Sequence, residues 1–264
     1  MESTDNPCSE DIMELSNTEL LKYGVVIQAR ASSTRLPGKV LMDIAGQPML
    51  LRQLRRLRNG IKVEKLVVAT SNDASDDPVE ELCITNGFNC FRGPLDDVMQ
   101  RFILLGKKLE IDYIVRVGGD DPLIDPLCCN FLIDKHLMDP LDFIYASNRS
   151  GWPYGCASEL IRRKALEEIH SKTSEPLYLE HIIPYFFDHP EEYRIHRAEA
   201  PININRPDYC FSVDYLEDIE LIRTIFKKLR SEGEFFPLTK VIELIDHNPE
   251  IRDINKHLHR GFER

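Results

Sequence analysis

The feature that most constrains this fold is the regular alternation of short apolar runs with helix-patterned segments between residues 24 and 146. The apolar runs predict five strands: Val25–Ala29, Lys65–Thr70, Phe88–Arg92, Asp112–Val117 and Asp142–Ala146. Such runs are almost continuously apolar rather than alternating, which is typical of strands that are buried on both faces of a mainly parallel sheet. We therefore expect a three-layer α/β domain, with helices covering both faces of the sheet.

The segments between the apolar runs carry helix signals. Pro48 suits the first position of a helix, and Asp76 or Asp77, just before Pro78, suits the cap of another that runs to about Asn86. The remaining segments predicted as helices are Leu95–Lys108, Pro126–Met138, Arg162–His170, Pro176–Phe187 and Glu217–Arg230.

The chain of 264 residues suits one large domain. We expect an acidic extension over residues 1–22, a main domain over 23–235 and a C-terminal helical segment over 236–264. Within the main domain, a change in pattern predicts an inserted lobe at about 148–205. The chain is then expected to return to the sheet as a strand at Tyr209–Val213.

Composition excludes several classes of protein. The net charge of -11 argues against a nucleic-acid binder, which needs a basic face. No apolar run approaches the length of a membrane span, and the N-terminus lacks a secretory pattern. The seven cysteines are odd in number and form no C-x-x-C pair, which favours free thiols in a reducing compartment and hence a cytoplasmic protein. The cysteines and histidines show no metal-site spacing.

A cationic loop follows the first predicted strand. It carries Arg30, Arg35 and Lys39, with Ser32, Ser33 and Thr34 between them. Because ligands of α/β sheets collect at the carboxyl ends of strands, this loop is suited to bind a polyphosphate. It is neither a P-loop nor a dinucleotide fingerprint. The alternative is a surface loop with three solvated cations.

Two aspartates also follow predicted strands. Asp120 comes after Ile114–Val117 and two glycines, and Asp214 comes after Phe211–Val213. Two carboxylates at strand ends, opposite the cations, would suit Mg²⁺, which takes its other ligands from water and phosphate. The alternatives are a helix cap for Asp214 and a turn for Asp120.

The segment Gln28–Lys39 resembles the opening signature of the cytidylyltransferases that activate acidic sugars. These include the acylneuraminate and 3-deoxy-manno-octulosonate enzymes, and the subgroup named for spore-coat polysaccharide biosynthesis is the most similar. Further matching segments are Ala69–Ser71 with Asp76 and Asp77, Arg92–Phe102, Val115–Asp125, Glu180–His181 with Pro184 and Tyr185, and Ser212–Asp218.

The resemblance implies a nucleotide-diphospho-sugar transferase-like fold, Mg²⁺-dependent transfer of CMP from CTP with release of pyrophosphate, and a homodimer joined through the inserted lobe. It implies catalytic roles for Arg30, Lys39, Asp120 and Asp214, with Asp120 and Asp214 as the Mg²⁺ ligands. The nucleotide-binding residues implied are Gln28, Ala29, Arg30, Arg35, Lys39, Ser71, Arg92, Gln100 and Asp120. Those implied on the acceptor side are Tyr154, Glu159, Glu180 and His181.

The chain departs from the family pattern at three places, one of which is the absence of the arginine that often precedes Glu180–His181. The segment Trp152–Leu160 has Tyr154 and Ala157 where the family has acidic residues, and Asp121 replaces a usual cysteine, which adds negative charge beside the expected metal. These departures leave open a different acceptor, such as a sugar phosphate or phosphonate, or a different nucleotide. Two competing classes of protein are a glycosyltransferase and a non-catalytic nucleotide-binding protein.

Overall fold

The computed structural model describes Leu20, residues 22–233 and residues 235–258. The expected extension over 1–22 lies outside the described residues apart from Leu20 and Lys22, and so does the end of the C-terminal segment. No helix in these described stretches is long and apolar enough to cross a membrane.

A seven-stranded sheet forms the centre of the molecule, with strands in the order β5-β4-β1-β6-β8-β7-β9. A separate two-stranded hairpin is formed by β2 and β3. The strands are β1 (Tyr23–Gln28), β2 (Asp43–Ile44), β3 (Gln47–Pro48), β4 (Leu66–Ser71), β5 (Asn89–Gly93), β6 (Tyr113–Gly118), β7 (Phe143–Tyr145), β8 (Glu159–Arg162) and β9 (Ile195–Arg197).

Ten helices accompany these strands in the described part of the chain. They are α1 (Met49–Arg58), α2 (Asp77–Thr85), α3 (Val98–Lys108), α4 (Pro126–Met138), α5 (Arg163–Lys172), α6 (Pro176–Glu180), α7 (Pro184–Asp188), α8 (Leu216–Lys228), α9 (Leu238–His247) and α10 (Pro249–Arg252). Two of them, α6 and α7, replace the single helix expected over Pro176–Phe187. That prediction was wrong because the chain extends at His181, before Pro184 begins a new helix.

The expected mainly parallel sheet is confirmed, with exceptions on one side. Strand β1 pairs in parallel with both β4 and β6, whereas β8 runs antiparallel to β6 and β7. The strand expected at Tyr209–Val213 is wrong: this segment contributes only an isolated bridge between Cys210 and Tyr154. Its backbone instead bonds the turn after β6, as described below, so it runs past the sheet rather than within it.

Both faces of the sheet are covered, which confirms the three layers. Val25 and Ile27 of β1 are buried on one face with residues of α1, α4, α8 and α9, while Val26 is buried on the other with residues of α3 and α5. This arrangement explains why the strands are apolar at successive positions. The stretch expected as an inserted lobe supplies β8 and β9 to the same sheet, and its domain boundaries stay a prediction.

Candidate active site

Lys39 lies at the centre of the candidate site. Its ammonium donates to Asp120 Oδ2 at 2.8 Å, to Asp214 Oδ1 at 2.8 Å and to the carbonyl oxygen of Val213 at 2.7 Å. The lysine is 7% exposed and Asp214 is 2% exposed. Burial alone would lower the pKa of Lys39, but its ion pairs and hydrogen bonds with Asp120 and Asp214 outweigh it and raise that pKa. The cationic loop and the two strand-end aspartates therefore meet at one point.

The turn after β6 places Asp120 beside β1. The amide of Gly119 donates to the carbonyl oxygen of Gln28 at 2.9 Å, and a Cβ added at Gly119 would lie 2.8 Å from that oxygen. Only glycine allows this approach without displacing the backbone. The amide of Val213 in turn donates to the carbonyl oxygen of Asp120 at 2.8 Å, so the two carboxylate-bearing segments are joined directly.

Asp218 holds the turn that carries Asp214. Its Oδ2 accepts the amides of Asp214 and Tyr215, each at 2.8 Å, at the start of α8. Its Oδ1 accepts the side-chain amide of Asn255 at 2.8 Å, and Asn255 also donates to the carbonyl oxygen of Cys210. Through Asn255, the C-terminal segment thus stabilises the backbone around Asp214.

Asp76 links the cationic loop to the end of β4. Its Oδ1 accepts the amide of Ala31 at 2.7 Å, and its Oδ2 accepts the amide and the hydroxyl of Ser71. Burial would raise the pKa of Asp76, but the hydrogen bonds from Ser71 and Ala31 outweigh it and lower that pKa. A buried carboxylate therefore orders the loop that begins at the end of β1.

Gln53 lies beneath the turn after β6, and Asp121 is the partly exposed residue that follows this turn. Gln53 is fully buried and donates its Nε2 to the carbonyl oxygens of Gly118, at 2.6 Å, and Asp121, at 3.1 Å. Desolvation and the nearby charge of Asp120 raise the pKa of the Asp121 carboxyl well above its ordinary value. The surroundings of Asp121 therefore oppose the added negative charge that the sequence suggested.

A cleft of about 620 Å³ opens above these groups. Nine residues that the sequence placed in the site line it: Gln28, Arg30, Arg35, Lys39, Asp120, Tyr154, Glu159, Glu180 and His181. Arg35 contacts Asp214 Oδ1 at 2.9 Å, so two cations compensate this aspartate. Partial burial of the Tyr154 hydroxyl and the nearby charges of Asp121, Asp120 and Asp214 raise its pKa above its ordinary value.

Arg116 lines the same cleft. It donates Nε to Gln28 Oε1 at 3.0 Å, and its guanidinium pairs with Glu159 at 3.0 Å. Nearby, Arg30 lies 3.5 Å from Glu180. Both ion pairs are partly exposed, and each joins the first strand's side of the sheet to the segment expected as the inserted lobe. This end of the cleft therefore presents both signs of charge to a ligand.

The other predicted site residues lie beside the cleft rather than in its lining. Ser71 is fully buried against Asp76, and the side chain of Asp214 lies below Lys39. Arg92 donates to the carbonyl oxygens of Ser71 and Asp73 and pairs with Asp77 and Glu80. Ala29 is buried at the end of β1, and the backbone of Gln100 is bonded by Asp97 at the start of α3.

Sequence reasoning missed Arg116, Gln53 and Asp218. A charged side chain inside an apolar strand was the signal for Arg116, because such a residue needs a polar partner at the strand end. The spacing of Asp218, four residues after Asp214 and in the first turn of a helix, was the signal for a cap. Gln53 gave no signal, since it lies in an ordinary amphipathic helix.

The side chains present fit a hard divalent cation. Two carboxylates and one backbone carbonyl direct oxygen atoms at the Lys39 ammonium, which shows that this point favours positive charge. Oxygen donors of this kind are the ligands that Mg²⁺ takes in proteins. Asp120, whose side chain is one-third exposed, also faces the cleft.

Comparison with known proteins identifies the family. A family model described as cytidylyltransferase matches residues 25–242. The spore coat polysaccharide biosynthesis protein SpsF of Bacillus subtilis is 34% identical over 230 residues, which cover 85% of this chain and 94% of that protein.

Solved structures agree with this assignment. A cytidylyltransferase from Leptospira borgpetersenii superposes with a TM-score of 0.82 at 31% identity, over 88% of this chain and 96% of that one. A CMP:2-keto-3-deoxy-manno-octonic acid synthetase complexed with CTP superposes with a TM-score of 0.61 at 21% identity, over 78% of this chain and 99% of that one. The second likeness shows the shared fold, which is the nucleotide-diphospho-sugar transferase-like fold that the sequence predicted.

Proposed function

Because the chain belongs to the cytidylyltransferase family of nucleotidyltransferases, we propose that it transfers CMP from CTP to an acidic sugar or a related small acceptor and releases pyrophosphate. The observation that carries this proposal is the contact of Lys39 with Asp120 and Asp214 on the floor of a cleft that Arg30 and Arg35 also line. This arrangement offers cations to a triphosphate and carboxylates to a metal within one cleft.

The cations of the site bind and orient the triphosphate. Lys39 is fixed by three contacts, so its charge is in place before the ligand binds. Arg35, whose side chain is 55% exposed, is free to extend from Asp214 toward a phosphate oxygen. Catalysis of this kind depends on positioning and on stabilising charge that develops in the transition state.

The chemical step joins the acceptor to the α-phosphate. An acceptor oxygen forms a bond to the α-phosphorus while the bond from that phosphorus to the bridging oxygen breaks. Pyrophosphate leaves with the electron pair, and the acceptor proton passes to solvent. Asp120 and Asp214 would hold Mg²⁺, which when bound neutralises phosphate charge and lowers the pKa of the attacking hydroxyl.

The acceptor end of the cleft suits a small polar molecule. Arg116 and Arg30 can bind a carboxylate or phosphate, and Glu159, Glu180 and His181 can bind hydroxyl groups. The two arginines support the acidic sugar, and the same pair leaves a sugar phosphate or phosphonate as the second candidate. The use of another nucleoside triphosphate in place of CTP is a further candidate, and the assay of pyrophosphate release described below also tests it.

We also propose that the enzyme works as a cytoplasmic homodimer in surface glycan synthesis. Leu177 of α6 is 53% exposed and Phe187 of α7 is 48% exposed, and both lie in the segment expected as the inserted lobe. Two exposed apolar side chains of this size in one segment support burial against a second copy. Light scattering of the purified chain measures this state directly.

The test of function is pyrophosphate release from CTP with Mg²⁺, over a panel of acidic sugars, sugar phosphates and phosphonates. We expect release with one class of acceptor and loss of it in Asp120→Asn and Asp214→Asn. Asp134→Asn is the matched control, because Asp134 is paired with Lys62 at an exposed site outside the cleft.

Each other outcome contradicts part of the proposal. Consumption of a preformed nucleotide sugar without pyrophosphate release would indicate a glycosyltransferase. Binding of CTP that does not depend on Mg²⁺, with no turnover over the whole panel, would indicate a non-catalytic protein. Equal release of pyrophosphate from CTP and from another nucleoside triphosphate would contradict only the assignment of CTP as the nucleotide.

A further inference from the structure

A second concave site lies away from the cleft, between the β2–β3 hairpin, the start of α1 and the end of α8. It is about 770 Å³ in volume. Its lining contains four cations: Arg52 of α1, Arg223 and Lys227 of α8, and Arg230 in the turn that follows α8. We refer to it as the cationic pocket. None of its lining residues lines the cleft described above.

Three of these cations have no acidic partner among the described residues. Within those residues, Arg223, Lys227 and Arg230 form no ion pair within 4 Å, and Arg223 donates only its Nε, to the carbonyl oxygen of Asp43. All three are exposed. The charged ends of these side chains are therefore available to a ligand.

Arg52 adds a fixed positive charge to the pocket. Its Nε donates to the carbonyl oxygen of Ile44 and its guanidinium to that of Ala45. The guanidinium also lies 4.8 Å from the centre of the Phe226 ring, which holds it against α8. Asp43 is the one acidic residue among the described lining residues, and its side chain accepts the amide of Gly46.

This concentration of charge is unusual for the chain that carries it. The net charge is -11, and several exposed cations elsewhere have acidic partners, as in Lys62–Asp134, Arg194–Asp139 and Lys240–Glu243. Three cations without an acidic partner among the described residues, together with Arg52, surround the single carboxylate of Asp43 in the described lining. Mutual repulsion of these cations disfavours the empty pocket and favours an anion within it.

We propose that the cationic pocket is a second anion site, which binds a small molecule bearing two or more linked phosphate groups. Side chains four residues apart on a helix have Cβ atoms about 6 Å apart, which suits contact with adjacent phosphates. Guanidinium groups bind phosphate oxygens in pairs. A concave site of this size fits a small ligand, whereas a nucleic acid would need a longer basic face than this acidic chain offers.

The test measures phosphate binding to the full chain by calorimetry, with inorganic pyrophosphate, CTP and glucose 6-phosphate as separate probes. The variant is Arg223→Ala with Lys227→Ala. The matched control is Lys164→Ala with Lys228→Ala, which removes the same net charge at two exposed positions outside the pocket. Lys228 also shares the end of α8 with Lys227, so both variants lose a cation near the same helix terminus.

We expect two classes of pyrophosphate site in the wild-type chain. The pocket variant should lose one class, with its affinity reduced tenfold or more, while the control keeps both. CTP and pyrophosphate binding there, with weak binding of glucose 6-phosphate, would confirm a requirement for linked phosphates. Equal loss in the variant and the control would overturn the proposal in favour of general electrostatic attraction, and no loss in either would leave only a solvated helix face. Neither result depends on turnover, so failure here is distinct from failure of the proposed function.

Discussion

Two groups of charges around the central sheet are held in different ways. At the carboxyl ends of β4, β1 and β6, the carboxylates of Asp76 and Asp214 are buried and each is bound by several donors. The pairs Arg116–Glu159 and Arg30–Glu180, which join β6 and the loop after β1 to residues of the segment 148–205, are partly exposed.

We expect this difference to separate catalysis from acceptor selection. Buried charges with many partners have one position, which suits groups that must meet a triphosphate and a metal in fixed geometry. Partly exposed pairs can exchange their partner for a ligand at small cost. We therefore expect substitutions of the buried groups to affect both stability and turnover, and those of the partly exposed pairs to affect mainly acceptor binding.

The largest effect is expected from Lys39→Met. Among the described residues, it leaves the buried Asp214 with Arg35 as its one charged partner, and it removes the cation that we expect to bind the triphosphate. We expect pyrophosphate release to fall on the order of 10²- to 10³-fold and the free energy of unfolding to fall by about 3 kcal/mol. Urea unfolding and single-turnover assays measure the two effects. Lys62→Met, at an exposed ion pair, should change neither by much, and similar losses in both variants would contradict the comparison.

The next effect is expected from Asp218→Ala. This change leaves the amides of Asp214 and Tyr215 and the side chain of Asn255 without their acceptor. We expect a loss of about 2–3 kcal/mol in the free energy of unfolding and reduced turnover, because Asp214 loses its fixed turn. Glu217→Ala changes the neighbouring, partly exposed carboxylate and is the control. A stable Asp218→Ala variant with full activity would show that this turn is held by other contacts.

A smaller effect, with a defined pH dependence, is expected from Asp76→Asn. Because the folded-state pKa of Asp76 lies below its ordinary value, the ionised carboxylate stabilises the fold above about pH 4, and this contribution is lost as the pH falls through the folded-state pKa. The free energy of unfolding of the wild type should exceed that of the variant by about 1–2 kcal/mol at pH 7. This difference in stability should become smaller toward pH 3.

Urea unfolding at both pH values measures this gap. Asp96→Asn, at an exposed carboxylate near the same edge of the sheet, is the control and should show no gap at either pH. A constant gap for Asp76→Asn over this range would mean that its charge does not order the cationic loop.

The smallest effect on stability is expected from Arg116→Gln, in one of the partly exposed pairs. The pair with Glu159 contributes less than about 1 kcal/mol, whereas loss of the guanidinium should raise the KM for the acceptor about tenfold. Initial rates at varied acceptor and CTP concentrations separate the two substrates. Arg194→Gln, at an exposed pair outside the cleft, is the control. If only the KM for CTP rises, Arg116 binds the nucleotide rather than the acceptor.

The local sequence pattern predicted most strands of the sheet but missed strands on the side of β8 and β9. The strands β1, β4 and β6 are long apolar runs, so their burial on both faces can be read from composition alone. Strand β8 has no clear apolar pattern in the sequence and was missed. Its place in the sheet depends on antiparallel pairing with β6 and β7. The segment 209–213 is apolar enough for a strand, but its backbone bonds the turn at Asp120 and Tyr154 instead of forming a ladder.

The sequence by itself determined the alternation of elements, the family and the identity of the residues Lys39, Asp120 and Asp214. Tertiary structure alone decided that one ammonium joins both aspartates, that Arg116 and Asp218 support the site, and that four cations share a second pocket. The physical reason is that periodicity and strand ends are local properties of the chain. The partner of a buried charge depends on which segments the sheet brings together, and in this site those segments are as many as 175 residues apart.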